Sequence, residues 1–208
     1  PNDDAEAALI TTLGAGSYTV IERGRLDTTG LGLIEIYDLG SGLGPELANI
    51  STRGFVQLAE NVMIGGFILG GNNNSSSIAV RALGPSLSAF GLADVLADPT
   101  LELHNANGTI MVSNDDWQSA SNAAQIQSSG FAPGHPLESA IYATLAPGAY
   151  TAVVSGVNGA TGVGLVEVYE VDQPGTPLIN ISTRGKVQTG FDVMIGGYVH
   201  TAKYLDAE

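Results

Sequence analysis

The chain carries the same passage twice, cut out of step with its own ends. Residues 6–39 read EAALITTLGAGSYTVIERGRLDTTGLGLIEIYDL, and residues 138–171 read ESAIYATLAPGAYTAVVSGVNGATGVGLVEVYEV. They align without a gap, with roughly 40% of positions identical. A second pair follows: NISTRGFVQLAENVMIGGF at residues 49–67 and NISTRGKVQTGFDVMIGGY at residues 180–198. The copies lie about 130 residues apart, too long for a short solenoid repeat and right for a small domain. We call the half with TLxxGxYT and GxGLxExY the B half, and the stretch from NISTRG to the Trp117 region the A half. The 208 residues then run B, A, B and the start of a second A. Residues 1–45 are a partial unit, 46–175 a complete one, and 176–208 a second partial unit. The two partial units are expected to complete each other, either within one chain or between neighbouring subunits.

Both halves read as strands. Residues 149–155 place Tyr150, Ala152 and Val154 on one face, and residues 163–171 alternate in the same way. Gly156 to Gly162 supplies the turn between them, so the B half reads as a hairpin with a loop longer than two residues. The A half adds strands at 52–57, 62–69, 77–83, 101–104 and 109–113. The last two are joined by Asn105-Ala106-Asn107-Gly108, whose Asn-Gly pair suits a tight hairpin. Residues 140–145 are short and mixed in character. Helical turns are expected only at 88–96 and 119–127. Gly65-Gly66 and Gly196-Gly197, inside strand patterns, mark a bulge or a close approach of backbones. Many short strands punctuated by Gly, Pro and Asn specify an all-β fold, a jelly-roll-like β-sandwich.

Composition narrows what such a fold can do. With no Cys there is no disulfide framework, thiolate zinc site or thiol nucleophile. Seven Lys+Arg against 21 Asp+Glu give a net charge of -14, which repels phosphate backbones and argues against nucleic-acid binding. No apolar run reaches the ~18 residues of a transmembrane helix. The chain begins at Pro1 without a signal-peptide pattern, as expected of a processed or excised chain. An acidic chain rich in Gly, Asn, Ser and Thr points outside the cell.

Residues 98–171, with DPTLELHNANGTIMVSNDDW and then LAPGAYTAVVSGVNGATGVGLVEVYE, resemble the bacterial pre-peptidase C-terminal type of β-sandwich. Asn105 stands where that family more usually has an acidic residue before the turn. The whole unit, with NISTRG, MIGG and RALGPSL, resembles uncharacterised repeats of about 130 residues in large secreted or surface proteins of environmental bacteria. That resemblance implies an extracellular or cell-surface location and modularity, and it implies no activity.

Catalytic signatures are absent from the sequence. His104, His135 and His200 lie far apart without metal-ligand spacing. Gly84-Pro85-Ser86-Leu87-Ser88 lacks the second Gly of a nucleophile elbow. Gly30-Leu31-Gly32 and Gly162-Val163-Gly164 enter strands rather than helices, unlike a dinucleotide loop. The chain is therefore not expected to be an enzyme or to carry an organic cofactor. Calcium is the one ion its residues suit: Asp98, Asn114, Asp115 and Asp116, with Glu138 as a further candidate, offer hard oxygens on loops. Their alternative use is an Asx turn or helix cap before Trp117. Arg53, Arg81 and Arg184 sit in strand-like, apolar surroundings, Arg53 and Arg184 at the same repeat position, and the equally repeated Glu35 and Glu167 are their expected partners.

The expected role is structural: a subunit of a homopolymer assembled head to tail by complementation of the partial units. The expected interface joins Ile181, Arg184, Val187, Val193, Met194 and Ile195 of the A start to Tyr18, Val20, Leu33, Glu35 and Ile36 of the partial B half. Unpaired strand edges template pairing with another chain, and a heterologous contact that does not close gives a filament. The alternative is a non-catalytic calcium- or glycan-binding adhesion module of a larger surface protein.

Overall fold

The computed structural model describes residues 3–39, 46–70, 74–171, 178–190 and 192–201. The expected unit boundaries, after residues 45 and 175, lie outside them. The strands are β1 (Gly16–Glu22), β2 (Gly30–Tyr37), β3 (Glu46–Val56), β4 (Met63–Leu69), β5 (Ser76–Leu83), β6 (Pro99–Asn105), β7 (Ile110–Asn114), β8 (Ser139–Leu145), β9 (Gly148–Gly156), β10 (Gly162–Glu170), β11 (Leu178–Val187) and β12 (Met194–Thr201). One short helix, α1 (Ala123–Ser128), and a few 3-10 turns complete the described chain. The fold is all-β.

Antiparallel pairing sorts the twelve strands into two runs of six. One run is β8-β5-β10-β3-β12-β1 and the other is β7-β6-β9-β4-β11-β2. They touch in parallel where β3 meets β11, at Leu47 with Leu178 and at Phe55 with Lys186, which links all twelve into one hydrogen-bonded sheet. The runs stack face to face over one core, with Ile50, Val80, Val166 and Val168 from one and Phe67, Leu101, Leu103, Val154 and Ile181 from the other. Alternation of side chains across each strand delivers these residues to one face. Two glycines set how closely the layers approach. A Cβ on Gly65 would meet the Val166 side chain at 3.3 Å, and one on Gly196 would meet Ile34 at 3.6 Å, the same contact in the two copies.

The residues of each partial unit repeat the pairing of the complete one. In the complete unit β10 lies on β3 with Gly164 opposite Gly54, and β9 lies on β4 with Tyr150 opposite Phe67. In the partial units β2 lies on β11 with Gly32 opposite Gly185, and β1 lies on β12 with Tyr18 opposite Tyr198. These are the same repeat positions in the same register. Both partial units belong to one chain here, so residues 16–37 and 178–201 close on each other in cis. The two A halves also exchange strands: β3 pairs with β12 and β4 with β11, so neither A half pairs its own two strands together.

The turns repeat as well. Leu26 (φ 55°) and Asn158 (φ 53°) hold the same left-handed position in the two B-half loops. Asn tolerates that conformation far better than Leu. The expected helical turns are shorter than their sequence ranges, with a 3-10 turn at Pro85–Phe90 and α1 at Ala123–Ser128.

Candidate functional site

The seam between the partial units is built on both layers at one end of the sandwich. Ile34, Val187 and Met194 form a small buried cluster with Ile36 packed against it. Ile181 reaches the main core, and Val193 is buried beside the seam. Tyr18 stacks on Tyr198 with ring centroids 5.5 Å apart, as Phe67 stacks on Tyr150 at 5.5 Å in the complete unit. The Tyr18 hydroxyl donates to the Gly14 carbonyl at 2.9 Å, and its counterpart Tyr150 donates to the Ala146 carbonyl at 2.8 Å. His200 adds a contact from its Nδ1 to the same Gly14 carbonyl at 3.3 Å. Ile195 lies opposite Ile21 and is half-buried.

Part of the expected interface faces elsewhere. Leu33 is 55% exposed, Val20 and Glu35 are exposed, and none of the three joins the seam cluster. For Leu33 and Glu35 the reason is the two-residue period of a strand: Ile34 and Ile36 face inward, so these two face outward; Val20 shares the parity of Tyr18 and is exposed on β1, the last strand of its run. The sequence-based interface omits His200 and two apolar seam residues, Ile34 and Tyr198. Matching each partial half to the buried positions of the complete copy finds both of them.

Arg81, one of the three arginines expected to pair with the repeated glutamates, meets Glu167. Glu167 pairs with Arg81, Nε to Oε2 at 2.5 Å, because β5 brings Arg81 directly opposite it on β10. The Tyr169 hydroxyl donates to Glu167 Oε1 at 2.7 Å, Phe131 stacks on the Tyr169 ring, and Arg81 lies 5.2 Å from the ring centroid. Burial, then the Glu167 charge, push the Tyr169 hydroxyl up to about 12. Arg184 lies opposite Leu33 and donates from Nη2 to the Glu60 carbonyl at 3.1 Å. Arg53 lies opposite Leu165, two positions from Glu167 along β10.

Between β6, β7 and β8, Asp98, Asp115 and Asp116 bring carboxylate oxygens within 4.8 Å of one another. Asp98 Oδ1 is covered and accepts no hydrogen bond among the described residues. Burial, then repulsion from Asp115 and Asp116, raise the Asp98 carboxyl above its ordinary range, while His135 opposes the shift. Asn114, next to this set, has its side chain bonded to backbone groups. Its amide nitrogen donates to the Asp116 carbonyl and its oxygen accepts from the Ala140 N–H, so it braces the loop. Glu138 is fully buried and accepts from the backbone of Gly84, Ser86 and His135 and from the Ser86 hydroxyl, so it ties loops together. Trp117 is buried with Ile126 and Ala140, which removes it as a stacking surface for a sugar.

The three histidines remain apart. His104 bonds Glu102 and the Gly108 carbonyl, His135 accepts from the Leu137 N–H, and His200 lies in the seam. No helix of the described chain is long and apolar enough to cross a membrane.

No protein-family model matches the chain, and no curated protein matches it. Among solved structures it is similar to that of infectious bursal disease virus Gt strain, at 13% identity over 91% of this chain and 43% of the other, with a TM-score of 0.16. A similar match is to the infectious bursal disease virus VP2 subviral particle, at 14% identity over 90% and 42%, with a TM-score of 0.16. The chain thus spans less than half the length of the viral chains it matches, and similarity this low carries no argument.

Proposed function

We propose that this chain is a non-catalytic structural module that works outside the cell and assembles with copies of itself, head to tail, by complementation of its partial units. The observation that carries the reading is the register: β1–β2 and β11–β12 pair residue for residue as β9–β10 and β3–β4 do in the complete unit. Two segments that close in cis make the same contacts in trans when neighbouring chains exchange them, and an exchange that runs head to tail has no natural end. The acidic surface suits such an assembly, since it repels neighbouring filaments sideways while strand edges join end to end. Negative-stain imaging and light scattering of the full chain over a concentration series test the reading. Filaments or a ladder of oligomers that grows with concentration are expected. Their loss on deletion of residues 178–208 assigns them to the partial units, and filaments that survive the deletion would overturn the reading.

A second reading, calcium binding at an adhesion module, is favoured by the Asp98–Asp115–Asp116 cluster. Ca²⁺ takes oxygen ligands from carboxylates and backbone carbonyls on loops. The Asp98 carboxyl is raised in the folded chain, so the folded state holds its proton more tightly than the unfolded state. Stability therefore falls as pH rises from the ordinary Asp range through the raised value. Added Ca²⁺ is expected to raise the Tm at neutral pH, with EDTA reversing the change and Asp98→Asn removing most of it. A Tm indifferent to Ca²⁺ would sink this second reading.

A further inference from the structure

We propose that the outer edge of β2, together with residues 7–13, is a receptor for one particular kind of strand: an extended segment of the β5 type, Ser-Ile-Ala-Val-Arg-Ala-Leu, donated by a further repeat of the same kind. The inference goes beyond the assembly reading, because it concerns a different edge and holds whether or not chains exchange their partial units.

The argument is a comparison of the protein with itself. In the complete unit β5 lies between β10 and β8 and hydrogen-bonds to both. The repeat counterpart of β10 is β2, and that of β8 is residues 7–13. β2 pairs with β11 on one side and with no strand on the other among the described residues. Residues 7–13 form no strand at all. Ile141 on β8 is 3% exposed, whereas its counterpart Leu9 is 85% exposed, and Leu31 and Ile10 are exposed as well. The local sequences are alike, so the strand itself is what differs. The outward N–H and C=O groups of β2 offer main-chain bonds once the incoming strand displaces the Glu22 carboxylate, which accepts from the Leu33 N–H and lies against Gly32, and the apolar side chains flanking them offer burial.

Charge identifies the occupant. In the complete unit Glu167, with the Tyr169 hydroxyl bonded to it, receives Arg81 from β5. In the partial unit Tyr37 donates to Glu35 Oε1 at 3.1 Å, so the same carboxylate and phenol are already arranged on an exposed face. The guanidinium is the part of the constellation that an incoming strand would bring. Transferring the β10–β5 register sets the incoming Arg opposite Glu35, the Val before it opposite Ile36, and the Leu two residues on opposite Leu33. The β5–β8 register likewise sets that Val opposite Leu9.

A labelled synthetic peptide of residues 75–84 titrated into the full chain tests this, read by fluorescence anisotropy and by hydrogen exchange. Saturable binding is expected, with new protection at residues 8–13 and 30–37 and none lost at 76–83. The peptide carrying Arg81→Glu is expected to bind about tenfold or more weakly, since a charge-assisted bond becomes a repulsion. The Glu35→Lys chain, altered only at an exposed position, is expected to prefer the reversed peptide. Absence of binding at millimolar peptide, equal binding of both peptides, or protection confined to another edge would each overturn the proposal.

Discussion

Glu35 and Glu167 occupy the same place in the repeat and live in different surroundings. Glu167 is buried against Arg81 and Tyr169, whereas Glu35 is exposed with Tyr37 as its bonded neighbour. Glu167→Gln breaks a buried charge-assisted pair and is expected to cost about 2–3 kcal/mol in urea unfolding. Glu35→Gln, at a surface position, is expected to stay within about 0.5 kcal/mol. Equal costs would contradict the idea that β5 makes the difference. The sequence offered Arg53, Arg81 and Arg184 together as partners for the two glutamates. It did not say which meets which, and the lateral order of strands brings Arg81 opposite Glu167. Asp98, Asp115 and Asp116 were legible as a set because they are loop carboxylates flanking one hairpin. Asn114 and Glu138 were not separable from them, since a ligand and a loop brace use the same residue types.

At the scale of elements, turn chemistry made most strands readable. Gly, Pro and Asn punctuate the chain closely enough that β4, β6, β7, β9 and β10 fall within a few residues of their sequence ranges. Residues 7–13 and β8 show where this stops. Their sequences are alike, yet one is a strand and the other is not, because a strand exists only with a neighbour to pair with. The exchange of strands between the A halves was illegible for the same reason. Its signature is the contact of β3 with β11, where the hydroxyls of Thr52 and Thr183, one repeat position in two copies, share a buried hydrogen bond at 2.6 Å. Thr52→Val or Thr183→Val alone leaves a buried hydroxyl unpaired, at an expected cost of about 1–3 kcal/mol. The double variant is expected to cost less than the sum of the singles, and strictly additive losses would argue against direct coupling.

The whole molecule is a sandwich of two six-stranded runs, to each of which the complete unit gives four strands and the partial units two. The repeat predicted that the partial units fit each other. It left open whether they meet in one chain or two, since the contacts are the same. The structure holds them in cis, and assembly needs the same seam to form in trans. A chain without Cys makes the distinction directly measurable. Ser17 and Val199 lie opposite each other across β1 and β12, and facing residues of an antiparallel pair are within disulfide reach. The Ser17→Cys, Val199→Cys double variant, oxidised across a concentration series and run on a non-reducing gel, reports which chain each seam strand came from. Head-to-tail assembly predicts closed monomers at dilution and a ladder of disulfide-linked multimers that lengthens with concentration. Closed monomers alone at every concentration would contradict it.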